Sequence, residues 1–292
     1  MLPAELFRKV RKIEIKTRRI VDEITGGAYR SVFKGRGIEF DEVREYTVND
    51  DVRDIDWNVT ARMGAPYIKK YVEERELTVI MAVDASASGA FGSGNAAKRD
   101  QAIEIAALLA FSAIRNQDRV GLLIFTDRTE LYLPPRSGRG NGLRLIRELL
   151  AFHPTGTGTD INVALKDLIQ AQKKKAVIFL ISDLIADAGF EKTLKIANKR
   201  HDVIAARILD PLELHWPRSA GLMLEDAENG NTAFFPGRET AALAAYADAA
   251  GSYHQAVAET CRRAKVDMID LRCGEDYVKP LIRFFKQRQG KR

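Results

Sequence analysis

From residue 77 onward the chain alternates short apolar runs with longer segments of helical periodicity, and few folds accommodate that order. Runs at 77–83, 119–125, 176–182, 202–208 and 266–271 read as strands. Between and after them, residues 96–116, 141–151, 160–171, 189–200, 238–264 and 276–288 read as helices. A short run at 129–133, ending at Pro134-Pro135, reads as an edge strand. Strand–helix alternation of this kind predicts an α/β fold: a doubly wound, mostly parallel sheet with helices on both faces. Two interruptions qualify it. Residues 210–237 break the alternation with Asp210-Pro211 and Trp216-Pro217, and read as a β-hairpin excursion turning at Asn229-Gly230. Residues 1–76 read as a separate lead-in, and 77–292 as the main body.

The lead-in has two parts. Residues 3–24 carry Leu6, Val10, Ile13, Ile20 and Ile24 near helical spacing, and Gly26-Gly27 ends that pattern. Residues 28–76 are polar and rich in Arg and Asp, with short alternating pieces at 42–46 and 67–72, which reads as a small β-rich unit with little core of its own. It is expected to pack on the body.

Composition narrows the function classes. A hydrophobic share of 46% and a charged share of 29% are those of an ordinary soluble protein. No apolar stretch reaches the ~18–20 residues that span a bilayer. No apolar h-region is visible near Met1, so the cytoplasm is the expected location. Cys261 and Cys273 lie far from any His/Cys cluster, which argues against a zinc site. The net charge of +6 is concentrated at the two ends of the chain. A basic surface can meet nucleic acid, but no nucleic-acid module or aromatic–basic interleaving is present, so contact with an acidic partner is the plainer reading.

The candidate chemistry lies at strand ends. The run at 77–83 is followed by Asp84-Ala85-Ser86-Ala87-Ser88, and the run at 176–182 by Asp183. Gly158-Thr159-Asp160-Ile161 opens a helical pattern. Ligands of doubly wound sheets collect at the carboxyl ends of strands. If these ends adjoin, Asp84, Ser86, Ser88, Thr159 and Asp183 form an all-oxygen pocket suited to a hard divalent cation, Mg²⁺ first, with Mn²⁺ or Ca²⁺ as alternatives. Taken alone, the same Ser and Asp residues serve equally as helix or turn caps. Thr155 and Thr157 compete with Thr159. A helix beginning at 160 favours Thr159, because it places that residue at the N-cap.

The pattern resembles that of von Willebrand factor A (VWA) domains, whose metal-ion-dependent adhesion site (MIDAS) combines D-x-S-x-S with a distant Thr and a distant Asp. Asp84, Ser86 and Ser88 match the first element, Thr159 the second and Asp183 the third. The resemblance implies a VWA/Rossmann-like sheet and a cation held directly by hydroxyls and through water by the two Asp groups. One coordination position is left for a partner's carboxylate. Upstream, Gly35-Arg36-Gly37-Ile38-Glu39-Phe40 and the stretch from Glu42 through Arg44, Asp50, Asp51, Arg53, Asp54, Asp56 and Trp57 to Arg62 resemble the signature block of the DUF58 family. Arg at this density beside Asp and Glu forms ion-pair networks, with Arg44, Arg53 and Arg62 each able to clamp a carboxylate in bidentate fashion, and Trp57 is expected to pack against the body. The block reads either as a docking surface or as a structural belt. Many members of that family carry N-terminal membrane helices. The family resemblance implies a partner, a MoxR-type AAA+ ATPase, and an adaptor role in chaperone-like assembly on an unknown client. It implies no catalytic residue.

Two other functions compete. A Mg²⁺-dependent phosphoryl-transfer enzyme needs a second acid two residues after Asp84, where Ser86 stands, and a catalytic Lys, for which Lys98 is the nearest candidate, on a helix. No P-loop is present, and His153, His201, His215 and His254 are scattered. A nucleic-acid-binding protein is the other alternative, resting on the basic ends alone.

Overall fold

The computed structural model describes residues 8, 10–15, 17, 20–21, 38–48, 50–73, 76–93, 97–186 and 189–290. Its centre is a six-stranded sheet. The strands are β3 (Thr78–Asp84), β4 (Arg119–Phe125), β5 (Thr129–Arg136), β6 (Val177–Ser182), β7 (Asp202–Leu209) and β10 (Asp267–Arg272), in the order β10-β7-β6-β3-β4-β5. Every neighbouring pair is parallel except β4 with β5, which is antiparallel at the sheet edge. The edge position explains why β5 continues through Pro134-Pro135 instead of ending there: an edge strand can spare the missing donors.

The pleat of β3 divides the core in two. Val79, Met81 and Val83 face one layer, packed with helices α2 (Lys98–Arg115), α3 (Arg139–Ala151) and α8 (Val278–Gly290). Ile80 and Ala82 face the other, packed with α4 (Ile161–Ala171), α5 (Glu191–Arg200) and α7 (Thr240–Arg263). In the first layer Phe179 of β6 meets Phe285 of α8 edge to face, ring centroids 6.4 Å apart. Both rings are fully buried. Truncating Phe179 to Ala would cost about 3–5 kcal/mol. The α/β, doubly wound, mostly parallel sheet with helices on both faces is therefore what the chain forms. Among the described residues, no helix is long and apolar enough to cross a membrane.

Residues 10–15 are helical, and Val10, Ile13 and Val21 are buried in the same cluster as α2 and α3. Residues 8, 17, 20 and 21 are helical as well; the other positions of the expected helix over 3–24, Gly26-Gly27 and the lead-in from 28 to 37 lie outside the described residues. The following segment forms an antiparallel pair, β1 (Ile38–Glu45) with β2 (Tyr67–Glu73), and a seven-residue helix α1 (Trp57–Met63) between them. Helix α1 buries none of its residues. Trp57, at its first position, is 67% exposed. The expected packing of Trp57 on the body is thus wrong: Asp56 caps the helix through the amides of Asn58 and Val59, and the indole leaves on the outer side.

The excursion contains a single helical turn, α6 (Pro211–Leu214), and a hairpin of β8 (Leu222–Glu225) with β9 (Thr232–Phe235). Its tip is wider than a two-residue turn. Asp226 amide and Asn231 carbonyl close it at 2.8 Å, and Gly230 takes a φ of 72°, a conformation that favours glycine.

Candidate metal centre

Strands β3 and β6 are neighbours in register, Val83 opposite Ile181, so Asp84 and Ser182 end side by side. From β3 the chain crosses to β4 on one side; from β6 it crosses to β7 on the other. The two carboxyl ends therefore flank the point where strand order reverses, the place where such sheets leave a crevice. Ser182 Oγ donates to Asp84 Oδ2 at 2.6 Å. Asp84 Oδ1 accepts from the Ser86 amide at 2.9 Å, which turns the chain and brings the Ser86 and Ser88 hydroxyls within 3.1 Å of each other. Ser88 Oγ donates to Asp183 Oδ2 at 2.9 Å. Four of the five expected ligands, Asp84, Ser86, Ser88 and Asp183, line one cavity of about 20 Å³, room for a single water-sized guest.

Thr159 stands apart from that wall. Its hydroxyl donates to Glu228 Oε1 of the hairpin tip at 2.8 Å. Its loop is nonetheless tied to the serine turn, because the Ala87 amide donates to the Thr157 carbonyl at 2.9 Å. On its other side the loop packs on the turn between β4 and β5, where Gly156 is required: a Cβ there would lie 2.1 Å from Asp127 Oδ1 and 2.3 Å from Thr126 Oγ1. Thr159 is not the N-cap of the following helix. Asp160 is, accepting from the Asn162 amide at 2.8 Å, since a carboxylate caps as well as a hydroxyl and stands next to the first helical residue. Thr159 lies one residue earlier. Of its rivals, Thr155 gives its hydroxyl to Glu130, and Thr157 uses its carbonyl as described.

Three side chains at this site were not assigned to it by their sequence positions. Ser182 is one. The second is Lys98, whose place in the first turn of a helix gave no sign of burial. Its side chain is 3% exposed, and Nζ donates to Asp183 Oδ2 at 2.7 Å and to Glu213 Oε1 of α6. The third is Glu213 itself, which also accepts the Asp210 amide at 2.9 Å. The Lys98 ammonium is opposed by burial, but the charges of Asp183 and Glu213 and its hydrogen bonds to both outweigh that and raise its pKa. Burial pushes the Glu213 carboxyl up in spite of Lys98. Burial first, then the charge of Asp183, push Asp84 up to about 7 against the hydrogen bonds from Ser182 and Ser86. Just beyond Asp183, buried Leu184 is held at a φ of 61°, a left-handed conformation costly for a branched side chain. Tyr253 Oη fastens that turn, donating to the Leu184 carbonyl and accepting the Ala186 amide, each at 3.1 Å.

These groups fit a hard divalent cation. Asp84 and Asp183 line the cavity together with Lys98 and Arg99, and Glu213 lies behind Lys98, so a divalent ion there would take over the countercharge that Lys98 gives Asp183. The donors are all oxygen. The set depends on its hydroxyls, for among the described residues no three His, Cys, Asp or Glu side chains gather as ligands.

The Arg/Asp block is partly knit and partly presented to solvent. Arg44 clamps Asp50 with two bonds, 2.8 and 2.6 Å, and that clamp with the Thr47 bonds holds the Asp50 carboxyl well below the usual carboxylate range. Asp51 caps a short 3₁₀ turn through the Arg53 amide, as Asp56 caps α1. Arg53, Asp54 and Arg62 are exposed, and among the described residues neither arginine has a carboxylate clamp. Val52 and Met63 beside them are 58% and 62% exposed.

Fold and site together define an α/β protein of doubly wound sheet with a pocket at its switch point lined by hydroxyls and by paired carboxylates and cations. The chain belongs to the family described as "Protein of unknown function DUF58", which matches residues 42–256. It is 30% identical over 287 residues to the uncharacterized protein Rv1480 of Mycobacterium tuberculosis, covering 98% of this chain and 90% of that one. Among solved structures it is similar to the conserved hypothetical protein BatB from Bacteroides thetaiotaomicron, with a TM-score of 0.49, 16% identity, and coverage of 74% of this chain and 100% of that chain. It is also similar to the SpRpn10 VWA domain, with a TM-score of 0.38, 12% identity, and coverage of 71% and 93%.

Proposed function

We propose that this protein is a non-enzymatic, VWA-like interaction module that binds a partner carboxylate through a Mg²⁺ ion of MIDAS type. The convergence of Asp84, Ser86, Ser88 and Asp183 on one ion-sized cavity at the sheet's switch point carries this reading. In it, the hydroxyls of Ser86, Ser88 and Thr159 hold the ion, and Asp84 and Asp183 supply its countercharge. Bound there, the ion would offer an electrophilic position to an outside acid, since neutral hydroxyls quench little of its charge. This chain's own residues orient that position: Ser182 fixes Asp84, and Lys98 fixes Asp183.

The partner class, a MoxR-type AAA+ ATPase acting on a client protein, is drawn from the resemblance carried by residues 35–62. The exposure of Trp57, Val52 and Met63 beside Arg53 and Arg62 supports a docking role for that block over a purely structural belt, because exposed Trp and Arg are the usual anchors of interfaces. The deciding test is a pull-down of the AAA+ ATPase with and without EDTA. Recovery that needs a divalent ion and is lost in Ser86→Ala supports the reading; equal recovery by Ser86→Ala would show that the cation is not the contact.

One observation favours a second reading. Lys98 reaches Asp183, as a phosphoryl-transfer site would require. Both of its carboxylate partners already engage it, and position 86 is a serine. Metal-dependent phosphatase turnover that disappears in Asp84→Ala would establish that alternative.

A further inference from the structure

We propose that the Lys98 ammonium is the resting cation of this pocket, that it and a divalent ion exclude each other at Asp183, and that Glu213 receives it when the ion binds. This inference rests on the cation reading above and names what sets ion affinity there. Both oxygens of Asp183 are already engaged. Oδ1 accepts the Ile185 amide at 3.0 Å, and Oδ2 accepts both the Ser88 hydroxyl at 2.9 Å and Lys98 Nζ at 2.7 Å. A carboxylate oxygen offers two lone-pair sites, so those of Oδ2 are filled. An ion, or a water it carries, therefore reaches Oδ2 only when one of the two donors leaves.

Of the two, Lys98 is the one that leaves. Ser88 is itself an expected ligand, whereas an ammonium repels a divalent ion held on the same carboxylate, and a buried pocket screens that repulsion poorly. Nζ already touches Glu213 Oε1, so the ammonium gives up Asp183 without losing its countercharge. Lysine suits such an exchange, because it carries a point charge with three donors on a flexible stem. The ends of that stem's path are fixed. The Lys98 amide donates to the Phe91 carbonyl at 2.9 Å. Glu213 Oε2 accepts the Asp210 amide at 2.9 Å, and the Asp210 carboxylate accepts the Leu212 and Ser93 amides, each at 2.9 Å. Tyr246 Oη donates to the Leu212 carbonyl, also at 2.9 Å. Glu213 is thus held still while the Lys98 side chain moves. Without the ion, Lys98 keeps Asp183 in place and leaves no uncompensated charge on it; with the ion, two carboxylates no longer share one ammonium.

The test uses Mn²⁺ as the probe, with the full chain as wild type, Lys98→Met, Glu213→Gln, the double variant and Ser86→Ala, each checked for folding by its melting temperature. Lys98→Met should bind Mn²⁺ about tenfold more tightly than wild type, and Glu213→Gln about tenfold more weakly, because its ammonium has only Asp183 to hold. In the Lys98→Met background the further change Glu213→Gln should cost less than about threefold, since no ammonium remains to be received. A second readout uses wild type alone: the NMR resonance of the buried Lys98 ammonium should shift as Mg²⁺ is added. Equal Mn²⁺ affinity in Lys98→Met and wild type, an equal effect of Glu213→Gln with and without Lys98, or a Lys98 resonance that stays put as the ion binds would overturn the exchange while leaving the cation site standing. No Mn²⁺ binding in either wild type or Lys98→Met, or binding that survives in Ser86→Ala, would overturn the cation reading and the proposal with it.

Discussion

Replacing Lys98 by Met removes the one ammonium in the pocket while keeping the aliphatic stem. Its two partners then face each other unpaired: the Asp183 side chain is 3% exposed and that of Glu213 15%. Breaking a buried ion pair from one side costs about 3–5 kcal/mol, because the remaining charge stays desolvated. That is a large part of the ~5–15 kcal/mol by which a domain is stable, so Lys98→Met should remain folded but unfold at clearly lower urea concentration. The cation reading adds a second expectation. A divalent ion at 100 times its dissociation constant contributes about 2.7 kcal/mol, and it binds more tightly where a competing positive charge has gone. Mg²⁺ should therefore raise the urea midpoint of Lys98→Met more than that of wild type. Urea unfolding in EDTA and in Mg²⁺, at a pH above about 7 where Asp84 is ionised, reads both effects. A loss below about 1 kcal/mol in EDTA, or no Mg²⁺ effect in either protein, would refute the reasoning, since the first denies the buried pair and the second the ion.

Three further outcomes are expected. The Asp84 carboxyl, held up at about 7 against the ordinary 3.8, keeps its proton in the folded chain where the unfolded chain has lost it. Stability without metal should thus fall as pH rises from about 4 to about 7, and Mg²⁺ affinity should rise over the upper part of that range, by about tenfold per pH unit, before levelling; titration calorimetry with Asp84→Asn as the flat control checks the sign. His201 is 1% exposed, with neither ring nitrogen hydrogen-bonded among the described residues, and burial first, then Arg200 and Lys175, lower it to about 4. The unfolded chain takes up that proton first, so stability should drop by about 1–3 kcal/mol between pH 6.5 and 4, and His201→Met should flatten the acid limb of a urea-midpoint profile. Trp57→Ala should change stability by less than about 0.5 kcal/mol yet weaken AAA+ ATPase binding by about thirtyfold or more; a variant that unfolds early and binds normally would return Trp57 to a structural role.

The sheet was legible in the sequence because four of its strands, β3, β4, β6 and β7, are largely continuous apolar runs, and burial on both faces leaves such runs little else to do. The same runs made Asp84 and Asp183 conspicuous as the first carboxylates past a buried strand. What the sequence hid were contacts set by tertiary placement. Lys98 looks like a surface helix residue until α2 is laid over the end of β6, and Glu213 looks like a loop acid until α6 folds back against it. The N-cap moved from Thr159 to Asp160 because adjacent Thr and Asp are both good caps, and pattern alone does not choose between them. Trp57 misled through size: a large aromatic predicts burial, but a seven-residue helix capped on both sides can form without a core and leave its indole in water. Glu228 lay 69 positions from Thr159, in a segment legible only as a hairpin, and nothing in its surroundings marked it.

On the cation reading, Asp84, Ser86, Ser88, Thr159 and Asp183 hold one divalent cation. Crystals grown in Mn²⁺ and measured at the manganese absorption edge test it directly. A single strong anomalous peak is expected in the cavity between the Ser86 and Ser88 hydroxyls, with Thr159 drawn to it and Asp84 and Asp183 at its rim. A map without a peak there, with Lys98 and Asp183 in contact and manganese bound elsewhere or nowhere, would contradict it.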